Sequence, residues 1–211
     1  MLFRSANIAV NPAVYRKLAY DPQRDFTPVT LIAAAPYVMT APLALPVKSV
    51  PEFIALAKAR PGTLNYASLG SGSMGHLTGE LFASMAGVKL VHVPYKVVGS
   101  VLTDLIAGQL QLFFIGMVSA QSQMKAGRLR ALAVTSPKRS AFAPELPTVA
   151  ESGVPGYDVT GWYGVFVPAG TPPAIVAKLE REFVRVLKLP EVRERLSAEG
   201  AELVGNTSAE F

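Results

Sequence analysis

The sequence predicts an α/β fold with a largely parallel sheet, and three observations carry that expectation. Between residues 50 and 134, short apolar runs suited to strands alternate with stretches of helical periodicity, the order expected when helices cross between neighbouring strands. Seventeen glycines and seventeen prolines divide the 211 residues into many short elements. Half of the residues are apolar, enough to bury a sizeable core.

The elements follow in order. A short helical candidate comes after Asn11-Pro12, and Asp21-Pro22 marks a turn. Thr27 to Thr40 has strand character, interrupted at Pro36. Ser49-Val50-Pro51-Glu52 is a capping box that opens a helix to about Ala59, stopped by Pro61-Gly62. Leu64 to Ser68 reads as a strand leading into a Gly/Ser-rich turn. Past Ser73, Met74, Leu77, Leu81, Phe82 and Met85 recur at helical spacing, and Gly87 closes that helix. Lys89 to Val93 is a strand, Gly99 to Ala107 a helix ended by Gly108, and Leu110 to Phe114 the next strand. A helix near Val118 to Ala126 ends at Gly127, and Leu129 to Val134 adds a strand.

Ser136 to Gly156 holds four prolines and is mostly loop, with Thr148 to Glu151 capping one short turn. Tyr157 to Val167 is a strand, Pro173 to Leu187 and Pro190 to Ala198 are helices, and Ala201 to Val204 suits an edge strand. Thr207-Ser208 reads as the start of a further helix. The uncharged runs Phe26 to Val47 and Leu105 to Met124 are long enough for a membrane span. Four prolines break the first and four glutamines stud the second, so both read as strands and helices of an α/β core.

Composition narrows the chemistry. With no cysteine, disulfides, thiolate catalysis and cysteine-based metal sites are excluded, and two histidines argue against a histidine-rich metal centre. The net charge of +5 comes from scattered basic residues, with no dense Lys/Arg run and no interleaved aromatics, so no nucleic-acid platform is expected. Met1 to Ser5 lacks the apolar core of a signal peptide.

The chemistry concentrates in Leu64 to His76. Ser73 suits a helix N-cap, and the free amides of the first turn, the glycine-freed backbone and the positive end of the helix dipole favour an anion. The stretch predicts a carboxylate- or phosphate-binding corner built from Ser68, Gly70, Ser71, Gly72 and Ser73. Gly70-x-Gly72-x-x-Gly75 also satisfies the dinucleotide fingerprint, yet the next strand ends in Val93-Pro94-Tyr95-Lys96, without the acidic residue that would hold a ribose. A tight turn that binds nothing is a further alternative. A nucleophile elbow would need glycine where Ser71 stands.

His76 is placed either to donate to an anion or to bond the local backbone, and Asp104 suits a structural partner better than a catalyst. Trp162 and Tyr163, bracketed by Gly161 and Gly164, suit core packing or a cleft wall. No paired carboxylates and no Walker A motif are present. A ligand site without catalytic residues, cofactor or metal fits this equipment.

A longer pattern of residues carries a resemblance. Asp25-Phe26-Thr27-Pro28-Val29, Leu64-Asn65-Tyr66-Ala67-Ser68, Gly72-Ser73 to His76-Leu77 and Val91 to Lys96 are similar to the Bug family, extracytoplasmic solute receptors of tripartite tricarboxylate transporters. Thr103-Asp104-Leu105, Gly108-Gln109, Arg130 to Thr135, Pro147 to Glu151 and Pro168 to Pro172 extend the similarity, in the same order, from about residue 6 to residue 211.

The resemblance implies a two-lobed, Venus-flytrap fold of the type II periplasmic binding proteins. One lobe is expected at 47–160. The other, at 1–46 with 161–211, would be short of the family's first βα unit, as in an N-terminally truncated member. It further implies a periplasmic receptor that captures a small carboxylated solute and passes it to membrane transporter subunits. Amides and hydroxyls of Ser68 to Ser73 would hold the carboxylate, with His76 nearby and Trp162 walling the cleft. Two alternatives stay open: a fragment that binds no ligand, and an oxidoreductase using the Gly70–Gly75 turn for a dinucleotide.

Overall fold

The computed structural model describes residues 2–5, 7–14, 17–198 and 200–211. The chain forms two compact units, Met1–Ala35 with Gly161–Phe211 and Pro36–Thr160. The strand β2 (Phe26–Pro42) contributes to both.

Within 36–160 the elements alternate as predicted: α2 (Val50–Ala59), β3 (Leu64–Ser68), α3 (Met74–Ala86), β4 (Leu90–Pro94), α4 (Val98–Ile106), β5 (Leu112–Gly116), α5 (Met117–Lys125) and β6 (Leu129–Val134). β3 pairs in parallel with β4 and β5, while β2 lies antiparallel between β5 and β6. Four strands therefore run one way and β2 opposes them, so the sheet is mixed. β2 enters as a continuous strand and not through a helical crossover, and nothing forces it into the parallel direction.

Side chains alternate across this sheet. From β3 and β5, Tyr66, Leu112 and Phe114 join Phe53 of α2 and Phe82 of α3 in one buried cluster. Ala67, Phe113 and Ile115 join Val101 and Leu105 of α4 and Ala120 of α5 in the other. Helices thus cover both faces, which is why β3 and β5 read as nearly continuous apolar runs.

The other unit contains β1 (Leu2–Ser5), α1 (Asn7–Val14), the first half of β2, β7 (Thr160–Pro168), α6 (Pro173–Leu187), α7 (Pro190–Ala198) and β8 (Glu202–Leu203). β1 lies antiparallel on β7, and β8 antiparallel on β2. Val176, Leu179 and Phe183 of α6 pack on Val29, Val165 and Val167. α1 runs through Asn11-Pro12 and does not follow it. A single proline late in a short helix removes one backbone bond without preventing the turns before it.

β2 is not interrupted at Pro36. Ala33 and Ala34 pair with Leu203 and Glu202, whereas Tyr37 and the residues after it pair with Gly116 and its neighbours. Pro36 stands where the strand passes from one set of partners to the other, a place where a missing N–H costs no ladder bond. The next donor, the Tyr37 N–H, bonds Thr135 Oγ1 at 2.8 Å. The two compact units accordingly divide at 35/36.

The capping residues act as their chemistry dictates. Ser49 accepts from the Glu52 N–H at 3.4 Å, and Glu52 reaches back to the Lys48 N–H at 2.7 Å. Thr148 and Glu151 cap each other reciprocally at 2.9 and 3.0 Å, and Thr207 and Glu210 form a similar box. Among the described residues, no helix is long and apolar enough to cross a membrane.

Candidate functional site: a donor-rich turn

The turn between β3 and α3 sits at the C-terminal ends of parallel strands, where open α/β sheets place their ligands. Gly70 and Gly72 adopt φ of 113° and 79°, conformations that L side chains rarely reach, so these two glycines are needed for the backbone path. Gly75 is under no such demand: a Cβ there would rest 3.7 Å from Ser68 Cβ, an ordinary contact, so geometry does not require the third glycine of the fingerprint.

Ser73 is the N-cap of α3, its backbone extended and its hydroxyl accepting from the His76 N–H at 3.3 Å. The Ser73 N–H bonds the Gly70 carbonyl, and the Gly72 N–H bonds His76 Nδ1 at 3.2 Å. Among the described residues, no acceptor stands against the N–H groups of Ser71, Met74 and Gly75. Ser71 is exposed, and Met74 and Gly75 are partly exposed. Three unspent donors at a helix N-terminus suit a carboxylate.

Of the residues predicted for this site, Gly70, Ser71, Gly72, Ser73 and His76 come together in the turn. Ser68 is fully buried with its hydroxyl turned inward, accepting from the Gly70 N–H at 3.2 Å and 2.6 Å from His92 Nε2. Its place is to shape the turn from beneath. His76 takes the local-backbone alternative, as the acceptor for Gly72. Trp162 belongs to the other unit, where it meets Phe211 edge-on at 5.6 Å and lines a cavity of about 890 Å³ with Phe166, Tyr20 and Phe26. Asp104 accepts from the Tyr95 hydroxyl at 2.6 Å, which pushes the phenol pKa up to about 12. That is a structural pairing, as its apolar helix suggested.

Sequence reasoning passed over the group that underlies the turn. The His92 ring lies 4.2 Å from that of His76 and 5.1 Å from that of Tyr66, and the Tyr66 hydroxyl donates to Glu80 at 2.5 Å. Burial, reinforced by the nearby His76, holds the His92 pKa below its ordinary value, with Glu80 opposing. Burial first, and then the Glu80 carboxylate, raise the Tyr66 phenol. The signal was available in the parallel register, because Tyr66 and His92 are direct partners across β3 and β4. Among the described residues, no group of three or more His, Cys, Asp or Glu side chains is placed to hold a metal ion.

A sheet with helices on both faces and a donor-rich turn at its strand ends is the architecture of an α/β ligand-binding protein. The comparisons make the assignment specific. All of residues 1–211 match the model of the tripartite tricarboxylate transporter family receptor, TctC. A protein from the tcbD-tcbE intergenic region of Pseudomonas sp. (strain P51) is 36% identical over 206 residues, covering 97% of this chain and 61% of its own length. The structure of Rpa4515 of R. palustris with adipate is similar at TM-score 0.88 and 39% identity, over 99% of this chain and 70% of that one. That of the periplasmic binding protein BugD is similar at TM-score 0.85 and 31% identity, over 98% and 69%. The chain belongs to the tripartite tricarboxylate transporter receptor family, and it spans 61% of the length of the first of these relatives.

Proposed function

We propose that this chain is a periplasmic solute receptor, or the greater part of one. In this reading it holds a small carboxylated solute at the Ser68–His76 turn and presents it to the membrane subunits of a tripartite transporter. Residues 36–160 would form one lobe, and 1–35 with 161–211 part of the other. The observation that carries the reading is the set of unspent N–H groups of Ser71, Met74 and Gly75 around the N-terminus of α3. Free backbone donors at a helix N-terminus stabilise a carboxylate without a competing cation, and the exposed Ser71 hydroxyl adds a donor. No covalent step is involved. The adipate in the structure of Rpa4515, to which this chain is similar, supports a dicarboxylate as the first solute to test.

Met74 offers a clean experiment. It is the first helical residue, and Ser73 before it has φ −68° and ψ 159°, a conformation that tolerates a following proline. Met74→Pro deletes one donor, while Met74→Ala keeps the donor and removes the same side-chain packing. Calorimetric titration with adipate, succinate and citrate should show Met74→Pro binding about tenfold more weakly than Met74→Ala, the worth of one hydrogen bond to a charged group. Equal affinities for the two variants would remove the turn from the binding site. A folded protein that binds none of these acids, or binds only NADP, would overturn the receptor reading for this chain.

A further inference from the structure

The turn rests on two imidazoles, one at each end. His92 Nε2 contacts the Ser68 hydroxyl at 2.6 Å, and that hydroxyl also bonds the N–H of Gly70. His76 Nδ1 accepts from the N–H of Gly72 at 3.2 Å. Gly70 and Gly72 are the two residues whose left-handed backbone gives the turn its shape. The rings lie 4.2 Å apart and tilted by 41°, close enough that a proton on one opposes a proton on the other.

An N–H can donate only to an unprotonated ring nitrogen, so the Gly72 bond fixes the neutral His76 tautomer with its proton on Nε2. That Nε2 stands 4.0 Å from Glu80. A second proton would go to Nδ1 and set two donors face to face, expelling Gly72 from its place. Neutral imidazoles thus match the observed turn and a charged His76 does not. Among the described residues, the other titratable groups facing the pair are Tyr66 of β3 and Glu80 of α3, already bonded to each other, while β5 contributes none. His92, half-buried beside His76, is held below its ordinary pKa and so disposed to stay neutral.

We propose that His76 and His92 are a paired positioning element for the anion turn, which keeps its binding shape only while His76 is neutral. Carboxylate affinity then falls in acid. This rests on the turn being the solute site. A positive charge simply added near an anion would strengthen binding, so the sign of the effect separates a positioning role from direct electrostatic attraction.

Two measurements test it. The first needs no solute: in ¹H–¹⁵N spectra of the free protein collected from about pH 8 to about pH 5.5, the Gly72 amide should move together with the His76 Nδ1 resonance. In His76→Asn, whose side-chain oxygen replaces Nδ1 as acceptor, it should not. A Gly72 amide that is flat in the wild type, or titrates unchanged in the variant, overturns the coupling. The second is adipate affinity at the two ends of that range. Protonation of adipate itself weakens every protein alike, so the comparison is between variants. The wild type should lose about fivefold more than His76→Asn, the order of one neutral hydrogen bond. Equal losses, or a relative gain by the wild type in acid, overturn the proposal. A titrating Gly72 with no adipate binding sinks the solute reading, and a flat Gly72 sinks the coupling whether or not adipate binds.

Discussion

Gly79, in the middle of α3, has an ordinary helical backbone, and helix propensity alone would favour alanine there by about 1 kcal/mol. The structure predicts the opposite outcome. A Cβ at Gly79 would stand 2.6 Å from Cδ2 and 2.9 Å from Cζ of Tyr66, and nearer still to Cε2, which no real Cβ tolerates. The Tyr66 ring has little freedom to retreat. It is fully buried, faces His92, and is fixed at its far end by the bond to Glu80. Overpacking of this kind costs about 3 kcal/mol, and after the propensity gain Gly79→Ala should lose about 2 kcal/mol in urea unfolding. In a Tyr66→Ala background the ring is gone, and the same substitution should become neutral or stabilising by up to about 1 kcal/mol. That change of sign is the decisive readout. A Gly79→Ala protein as stable as the wild type, or an equal loss in both backgrounds, would refute the close approach of helix and ring. Because a displaced Tyr66 ring presses on His92, adipate affinity should fall with it.

Phe82→Ala should be among the most damaging substitutions, because this fully buried ring meets Phe53, Phe114 and Tyr157; a loss of about 3–5 kcal/mol in chemical denaturation is expected. Ser73→Ala removes the N-cap of α3 and should cost about 1 kcal/mol, read as a lowered thermal midpoint, whereas Ser73→Asp should recover most of it. Stability should also depend on pH through His92. Its folded pKa is lowered, first by burial and then by His76, so below the ordinary value of 6.5 the unfolded chain binds a proton that the folded one refuses. This contribution is whole above pH 6.5 and is lost as the pH falls below it. Thermal midpoints at pH 7.5 and 5.5 should separate further in the wild type than in His92→Gln, and equal separations would contradict the assignment.

The helix limits were legible because the residues that stop or start helices act locally. Ser49, Ser73 and Thr148 cap as their side chains dictate, and Gly87 takes the left-handed conformation that ends α3. The shape of the Gly/Ser turn was legible for the same reason, since glycines, serines and a helix start lie within a few residues of one another. What escaped notice depends on partners distant in the chain. Pro36 reads as a break until the exchange of partners around it is known. His92 reads as one polar residue on a strand until the register sets it against Tyr66 and beneath Ser68. Ser68 was assigned a direct contact because it opens the Gly/Ser-rich turn, but strand alternation buries its hydroxyl.

The two halves of β2 have different histories during synthesis. Every strand that pairs with its second half lies between residues 112 and 134, so the sheet of 36–160 is available to close as one uninterrupted run leaves the ribosome. The first half has its neighbours in β7 and β8, at 160–168 and 202–203. One continuous strand is thus asked to hold half its length in order while the other half waits for β7 and β8 to emerge. Val29 and Ala33, buried once folded, are exposed throughout that interval. The polypeptide's vulnerability to aggregation and proteolysis is concentrated there, in a segment that the finished protein hides.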